Sequence, residues 1–449
     1  MTWQILGPLA AVLAALLAAA WWFVLRIGRR VSPTGDSGPI EVGDAIECAR
    51  RALADPGPRH ADLARLWAPS TAADVEVLPE GRVFYPRMLD DIGRARHSVH
   101  VMQYGFQPGV IGDQFAPLFS AKARDGVGVR MIVDALGSHA FTGSRAMFNS
   151  LAAAGVEVML HDLIPPDRHG PVGARRLVPR LRQTGRVEHR KLVLVDGAVG
   201  YVGGAGLEDH FFDGRFHDVY IRFAGPVTRQ LQAIFLASFA YHGGRLPEGE
   251  GVLEGYFPPT IEEGPHTVNV IMNWPRGWLP LTDAAIELIR TAERRLDIMN
   301  YYIGDVRVIR EILEAARRGV RVRLIVADQA HANGVTYGAF LHHYDELLTA
   351  GVEIWEYPAV VHAKVIVADD GALVGTLNLD TFALYRNPEM GLRFDDKVVA
   401  DRFVSTLFEP DIAMSTPGRA ASGRFRRAQP ALGEGQLRLL VAAAAIVGR

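Results

Sequence analysis

Two short strings in this chain carry a histidine, a lysine and an aspartate at one spacing. His189, Lys191 and Asp196 stand in H-R-K-L-V-L-V-D, and His362, Lys364 and Asp369 stand in H-A-K-V-I-V-A-D. The stretch between Lys and Asp is apolar in both, as in a buried strand. Residues two apart on a strand project from one face, so each His and Lys point together, while Arg190 and Ala363 face the other way. The chain has 15 His, and among its 48 Lys+Arg only Lys122, Lys191, Lys364 and Lys397 are lysines. At those frequencies the triple is expected by chance on the order of 0.01 times, yet it occurs twice. Half of the lysines in an arginine-rich chain sit in these strings, where a compact ammonium serves differently from a planar guanidinium.

Two imidazoles and two ammoniums gathered at one place would surround a small anion with cations, and phosphate is the natural guest. One imidazole can attack phosphorus, while the other protonates the leaving oxygen and then deprotonates an incoming hydroxyl. That chemistry is ping-pong transfer of a phosphoryl group between alcohols through a phosphohistidine. It needs no metal and no cofactor, because the lysines and neighbouring donors supply the charge stabilisation.

The elements that must position these residues come in two copies. The string A-R-D-G-V-G-V-R-M-I-V at 123–133 returns as A-R-R-G-V-R-V-R-L-I-V at 316–326, each reading as a helix, a glycine stop and a buried strand. A-G-V-E-V near Gly155 returns as A-G-V-E-I at Gly351, and the helix-then-strand pattern of 88–104 recurs at 284–302. From Gly126 to Gly319 the offset is 193, and from Gly155 to Gly351 it is 196, so one α/β unit occurs twice. The expected architecture is two lobes around a pseudo-two-fold axis.

With its doubled H-x-K-x4-D motif, the chain resembles the phospholipase D superfamily, and more closely its bacterial cardiolipin synthase branch, over roughly residues 80–410. After the second motif, V-G-T-L-N-L-D with Gly375, Thr376 and Asn378 looks like that branch's signature, with one residue fewer before the Gly-Thr. The first copy has Gly203, Gly204, Ala205 and Gly206 there, so Gly206 replaces the branch's usual asparagine, and Glu188 stands where Asn is common. The resemblance implies two phospholipase D-like lobes with mixed β-sheets flanked by helices. It implies His189 as nucleophile, His362 as general acid and base, and Lys191 and Lys364 as phosphate binders. Gly204, Thr376 and Asn378 would assist in binding phosphate, and Asp196 and Asp369 match the motif aspartates in a more structural part. It also implies that a downstream carboxylate holds each histidine: Asp218 follows His189 by 29 residues, and Glu389 follows His362 by 27.

One segment breaks the symmetry. From Gly155 to His189 is 34 residues but from Gly351 to His362 only 11, leaving an insertion with Arg168, Arg175, Arg176, Arg180, Arg182 and Arg186, and Arg190 just after. It is either a solvated basic loop or a platform for anionic headgroups, with Arg175 and Arg176 as substrate-binding candidates; each basic residue near a charged membrane is worth about 1 kcal/mol. Trp274 and Trp278 are either interfacial anchors or residues packed under a loop.

Residues 5–25 carry no charge. As a helix they would measure about 31 Å, matching the bilayer core of about 30 Å. Trp3, Trp21 and Trp22 suit the two aromatic belts, and Arg26, Arg29 and Arg30 follow, which places the rest of the chain in the cytoplasm. A cleaved signal peptide is the alternative, weakened by the lack of Lys or Arg before the apolar run. The expected division is an anchor at 1–30, a linker with short helices at 31–75, the first lobe at 76–250, the second at 265–410, and a tail at 411–449. That tail is apolar over 437–447, as in an interfacial segment or a frayed helix. Cys48 is the single cysteine, so neither an intrachain disulfide nor a cysteine-based zinc site is available.

A hydrophobic fraction of 49% and near-balanced charge exclude a disordered chain. The expected function is a single-pass, inner-membrane phosphatidyltransferase that makes cardiolipin and glycerol from two phosphatidylglycerols. Its partners would be an anionic phospholipid and the membrane. Hydrolysis or another headgroup exchange is the alternative within lipid chemistry. A phosphodiester nuclease is more distant, because a sequence pI near 6.7 lacks the basic field that nucleic acid calls for, and no nucleic-acid partner is expected. A non-enzymatic membrane scaffold would have no use for both His and Lys pairs.

Overall fold

A computed structural model describes residues 69–419, apart from 141–142, 162–186, 247–251, 259–260, 274–278, 302 and 333. The expected anchor, residues 31–68 of the linker, and the insertion arginines from Arg168 to Arg186, including Arg175 and Arg176, lie outside the described residues. So do Trp274, Trp278 and the tail beyond 419. No helix among the described residues is long and apolar enough to cross a membrane.

The first half contains β1 (Ser70–Pro79), β2 (Ser98–Gln103), β3 (Gly128–Asp134), β4 (Glu157–His161), β5 (Leu192–Val195), β6 (Val199–Gly203), β7 (Phe216–His217) and β8 (Val219–Ala224). Its helices are α1 (Gly81–Arg94), α2 (Gly112–Arg124), α3 (Arg145–Ala153), α4 (Asp209–Phe212) and α5 (Val227–Tyr241). The second half contains β9 (His266–Asn273), β10 (Arg295–Asn300), β11 (Arg321–Ala327), β12 (Glu353–Tyr357), β13 (Val360–Val361), β14 (Lys364–Ala368), β15 (Gly371–Gly375), β16 (Glu389–Asp395) and β17 (Thr416–Pro417). Its helices are α6 (Pro280–Thr291), α7 (Val306–Arg317), α8 (Gly334–Thr349), α9 (Thr381–Tyr385), α10 (Lys397–Phe403) and α11 (Glu409–Met414).

The strand order in the first half is β4-β3-β2-β5-β6-β8-β1, and in the second half β12-β11-β10-β14-β15-β16-β9, the same path run twice. In each, the three strands linked by helical crossovers pair in parallel and the remainder antiparallel, which is the mixed sheet expected of the duplicated unit. The halves do not keep separate sheets. β1 and β9 pair antiparallel through Ser70↔Val268, Thr71↔Thr267 and Ala72↔His266, making one sheet of 15 strands. Residues 70–75, expected in the linker, therefore form the seam, because their alternating buried side chains belong to the core. A second connection is the parallel pairing of β7 with β13 across the halves.

Strand alternation sorts the core into layers. Val193 and Val195 pack into an outer cluster with Phe84, Phe115 and Met131, whereas Leu192 and Leu194 face a central cluster shared by both halves. Likewise Val365 and Val367 face the centre, and Ile366 and Ala368 an outer cluster with Ile289 and Ile312. The helix α5 runs through the central layer with 12 of its 15 residues buried, as befits a helix that is apolar on nearly every side.

Both motif aspartates sit at turns beyond the strands. Asp196 has φ 53° and Asp369 φ 50°, left-handed conformations that aspartate tolerates. Asp196 Oδ1 accepts the backbone N–H groups of His97 (2.7 Å) and Ser98 (2.9 Å), with Arg96 on Oδ2 (2.9 Å). Asp369 holds Glu293, Arg294 and Arg295 in the same way, at 2.8, 2.8 and 3.1 Å. Each carboxylate thus ties the end of its motif strand to the start of its antiparallel neighbour, β2 or β10. The turn after the motif differs in length between the copies: residues 369–370 form a two-residue hairpin, whereas three residues separate Val195 from Val199.

Candidate active site

His189 and His362 precede β5 and β14, one in each half. Their Nδ1 atoms are held crosswise. His189 Nδ1 lies 2.9 Å from both carboxylate oxygens of Glu389, which begins β16 of the second half. His362 Nδ1 lies 2.5 Å from Asp218 Oδ2, which precedes β8 of the first half. The expected pairing of each histidine with the carboxylate downstream in its own copy is therefore corrected. The two ends face each other across the interface, and the nearest carboxylate belongs to the other half. The backbone reinforces this arrangement, since His362 N–H donates to His217 O at 2.7 Å.

With Nδ1 held by a carboxylate, Nε2 is the nitrogen of each imidazole left for chemistry, the orienting logic of a triad. Burial, followed by the charges of Lys191 and Lys364, holds the His189 imidazole well below its usual basicity, and the same causes act on His362. Both rings are thus free bases in the unliganded site, as a nucleophile requires. Burial lowers the Lys191 ammonium to about 8 and Lys364 to about 7. Burial also raises the Glu389 carboxyl to about 8 and shifts Asp218 upward. Lys191 Nζ donates to His189 O at 2.7 Å, and Lys364 Nζ donates to His362 O. Lys364 Nζ also stands 3.1 Å from His362 Nε2. Six ionisable side chains with basicity displaced by burial and by one another mark a site built for charge transfer.

Two of the residues expected at the phosphate, Thr376 and Gly204, lie against the carboxylates that hold the histidines. Thr376 is fully buried and its hydroxyl donates to Glu389 Oε2 at 2.5 Å, so it steadies the carboxylate behind His189. Gly204, its counterpart, serves Asp218: a Cβ there would stand 2.6 Å from Asp218 Oδ1, and its absence admits the carboxylate. Asn378, by contrast, is 9% exposed, and its Oδ1 has no hydrogen-bond partner among the described residues. Asp196 and Asp369 stay in their turns, at the far ends of the strands.

Arg190 does not join a basic surface. It is 1% exposed and donates from Nε and Nη2 to the two oxygens of Glu188, at 2.6 Å each, and from Nη1 to Ser238 of α5 at 2.9 Å. His242 Nε2 lies 3.2 Å from the same Glu188 carboxylate, which the Arg190 charge holds far below its usual range despite burial. Strand alternation turns Glu188 and Arg190 away from the His and Lys, and a carboxylate there neutralises an arginine that α5 would otherwise bury alone.

Sequence reasoning missed the aromatic walls. Tyr104 lies 5.3 Å from the His189 ring and 5.3 Å below Lys191 Nζ, while Tyr301 lies 4.7 Å from His362 and 5.5 Å from Lys364 Nζ. Their signal was their matched place just after β2 and β10 in the repeat. Phe211 and Phe216 add a further wall at His362 only, with centroids at 5.1 and 5.9 Å.

The family described as cardiolipin synthase, PLD-like domain, matches residues 88–238 and 285–409. These spans contain both motifs and make up more than half of the chain, which therefore belongs to this family. The chain is 31% identical over 331 residues to the cardiolipin synthase of Geobacillus kaustophilus, covering 72% of this chain and 62% of that protein. It is 29% identical over 352 residues to the major cardiolipin synthase of Bacillus subtilis, covering 76% and 69%. The chain thus spans less than two thirds of the Geobacillus relative. Among solved structures, phosphatidylserine synthase of Haemophilus influenzae shares the fold with a TM-score of 0.63 at 13% identity, covering 90% of this chain and all of that one.

Proposed function

We propose that this protein is a phosphatidyltransferase of the cardiolipin synthase type. The observation that carries the reading is the crosswise pinning of His189 and His362, which leaves two Nε2 atoms and two ammoniums around one space. Relatives named as cardiolipin synthases support cardiolipin as the product, and we take phosphatidylglycerol as the lipid.

In this reading His189 Nε2 attacks the phosphorus of a first phosphatidylglycerol. The P–O bond to the headgroup breaks, His362 gives that oxygen a proton, and glycerol leaves a phosphatidyl-histidine. His362, now neutral, takes the proton from a hydroxyl of a second phosphatidylglycerol. That oxygen displaces His189, giving cardiolipin and the free imidazole. Proton transfer of this kind contributes typically 10²–10⁴-fold. Lys191, Lys364 and Asn378 hold the phosphoryl oxygens, and the substrate's negative charge offsets the lysines' depression of His362, so that it can carry the proton.

A lipid surface is supported by exposed apolar side chains beside the centre. Val110 is 58% exposed on the loop after β2, which also carries Tyr104 and Gln107, and Leu136 is 55% exposed on the loop after β3. We assign the protein to the membrane, with 5–25 as its anchor, the two lobes on the cytoplasmic side, and the domain limits given above.

The test is to incubate purified protein with labelled phosphatidylglycerol, and separately with single-stranded DNA, and to identify the products. Cardiolipin and glycerol are expected, with none from His189→Ala. Phosphatidic acid alone would convert the reading to hydrolysis, DNA cleavage to a nuclease, and a phosphoryl group trapped on His362 would reverse the nucleophile.

A further inference from the structure

Gly206 and Asn378 occupy equivalent places in the two copies, yet the first half has not simply lost a side chain there. Glu208 fills the gap. A Cβ at Gly206 or at Gly105 would overlap Glu208 Oε2, so this carboxyl group lies against the bare backbone of both glycines, where the side chain of an asparagine at 206 would begin. Gln107 Nε2 donates to Glu208 Oε1 at 2.6 Å and also to Gly137 O at 2.9 Å, fixing one oxygen. Tyr85 Oη, bonded to Gly206 O at 2.5 Å and to Glu208 O at 3.2 Å, fixes the backbone beneath. Glu208 Oε2 has no hydrogen bond to a described residue, and the nearest ring nitrogen, His210 Nε2, is 4.0 Å away. In the second half the equivalent Asp380 is one carbon shorter and accepts Ala383 N–H at 3.2 Å, at the start of α9. Asn378 keeps that half's cradle.

We infer that Glu208, as a neutral carboxylic acid, donates a hydrogen bond to the bound phosphoryl group from the place that the Asn378 amide takes in the other half. A carboxylate would repel an anion at this point, whereas the protonated group offers one O–H donor, as the amide offers N–H. Burial raises Glu208 to about 7, against the pull of Lys191, so the neutral form is within reach near neutrality and an arriving anion favours it further. The charged and titratable groups around it are Lys191 before β5, Asp209 and His210 of α4, Tyr85 of α1 and Tyr104 after β2.

The inference rests on reading this centre as a phosphoryl site, and the test keeps the two apart by using sulfate, whose charge is constant above pH 3. Sulfate affinity of the full chain is measured by calorimetry from pH 6 to 8.5 for wild type, Glu208→Gln, Glu208→Ala and the double variant Gly206→Asn with Glu208→Gly. The Glu208 charge helps to hold Lys191 up, so its loss in a variant lowers Lys191 and steepens that variant's own slope; a steeper fall for wild type therefore reports the Glu208 proton itself. Wild-type affinity is expected to fall about tenfold more than that of Glu208→Gln between pH 6 and 8.5. Glu208→Ala is expected to bind about tenfold more weakly than wild type at pH 6, with the double variant recovering most of that loss. Equal pH slopes for wild type and Glu208→Gln, or undiminished binding by Glu208→Ala at pH 6, overturn the inference. Glu208→Gln is isosteric and keeps the test decisive if Glu208→Ala misfolds. No sulfate binding by wild type overturns the phosphoryl-site reading and this inference together. The expected sulfate pattern without cardiolipin formation overturns the lipid reading alone and supports the role of Glu208.

Discussion

Glu389 lies in the second half of the chain, 200 residues beyond His189, and its carboxylate holds that histidine's Nδ1 at 2.9 Å. The reciprocal bond from Asp218 to His362 makes each half the support of the other's imidazole. Neither copy of the repeat contains a complete centre.

Glu389→Gln keeps the shape but removes the carboxylate and puts an NH2 donor in place of one of the two acceptor oxygens that face His189 Nδ1. Turnover is expected to fall by about two to four orders of magnitude, with far-UV circular dichroism unchanged. The phosphorylated intermediate on His189 should fall with it, measured by acid-quenched labelling. Normal labelling in this variant would show that the crosswise bond plays no part in the chemistry.

Lys364→Arg preserves charge, yet Lys364 Nζ is packed within 3.1 Å of His362 Nε2 and beneath Tyr301, where a planar fork does not fit. A loss of about 100-fold in kcat/KM is expected in steady-state assays. Wild-type turnover would remove the reason for the retained lysines.

The Glu188–Arg190 pair should act on stability. Both side chains are almost completely buried, so Arg190→Ala leaves an uncompensated carboxylate and is expected to cost about 3–5 kcal/mol in urea denaturation. Replacing both by leucine should cost less than either single change. A small effect from Arg190→Ala would mean that water reaches Glu188.

The sign of the pH dependence follows from the lysines. With Lys364 lowered to about 7 and Lys191 to about 8, both are ammonium below pH 7 and lose their protons as pH rises through that window. A bound anion favours the charged forms, so binding at pH 8 should take up protons, and less so at pH 6. Calorimetry of diester binding in buffers of different ionisation enthalpy measures the uptake. No uptake at pH 8 would show the lysines fully charged there.

The sequence by itself determined the duplicated unit, the order of its helices and strands, and the parity that turns His189 with Lys191, and His362 with Lys364, to one face. These are local properties, set by hydrophobic period, glycine stops and the two-residue repeat of a strand. The replacement of the usual asparagine by Gly206 was equally visible, though not that Glu208 fills the space. The tertiary structure alone decided the partners. How β1 docks on β9 sets the distance between the halves, and that distance gives Glu389 to His189 and Asp218 to His362. Within single halves, the pairing of β15 with β16 brings the Thr376 hydroxyl to Glu389, and packing beside α5 turns Arg190 inward onto Glu188. Contacts between residues 144 or 200 positions apart are fixed by the packing of whole sheets, which no local pattern encodes.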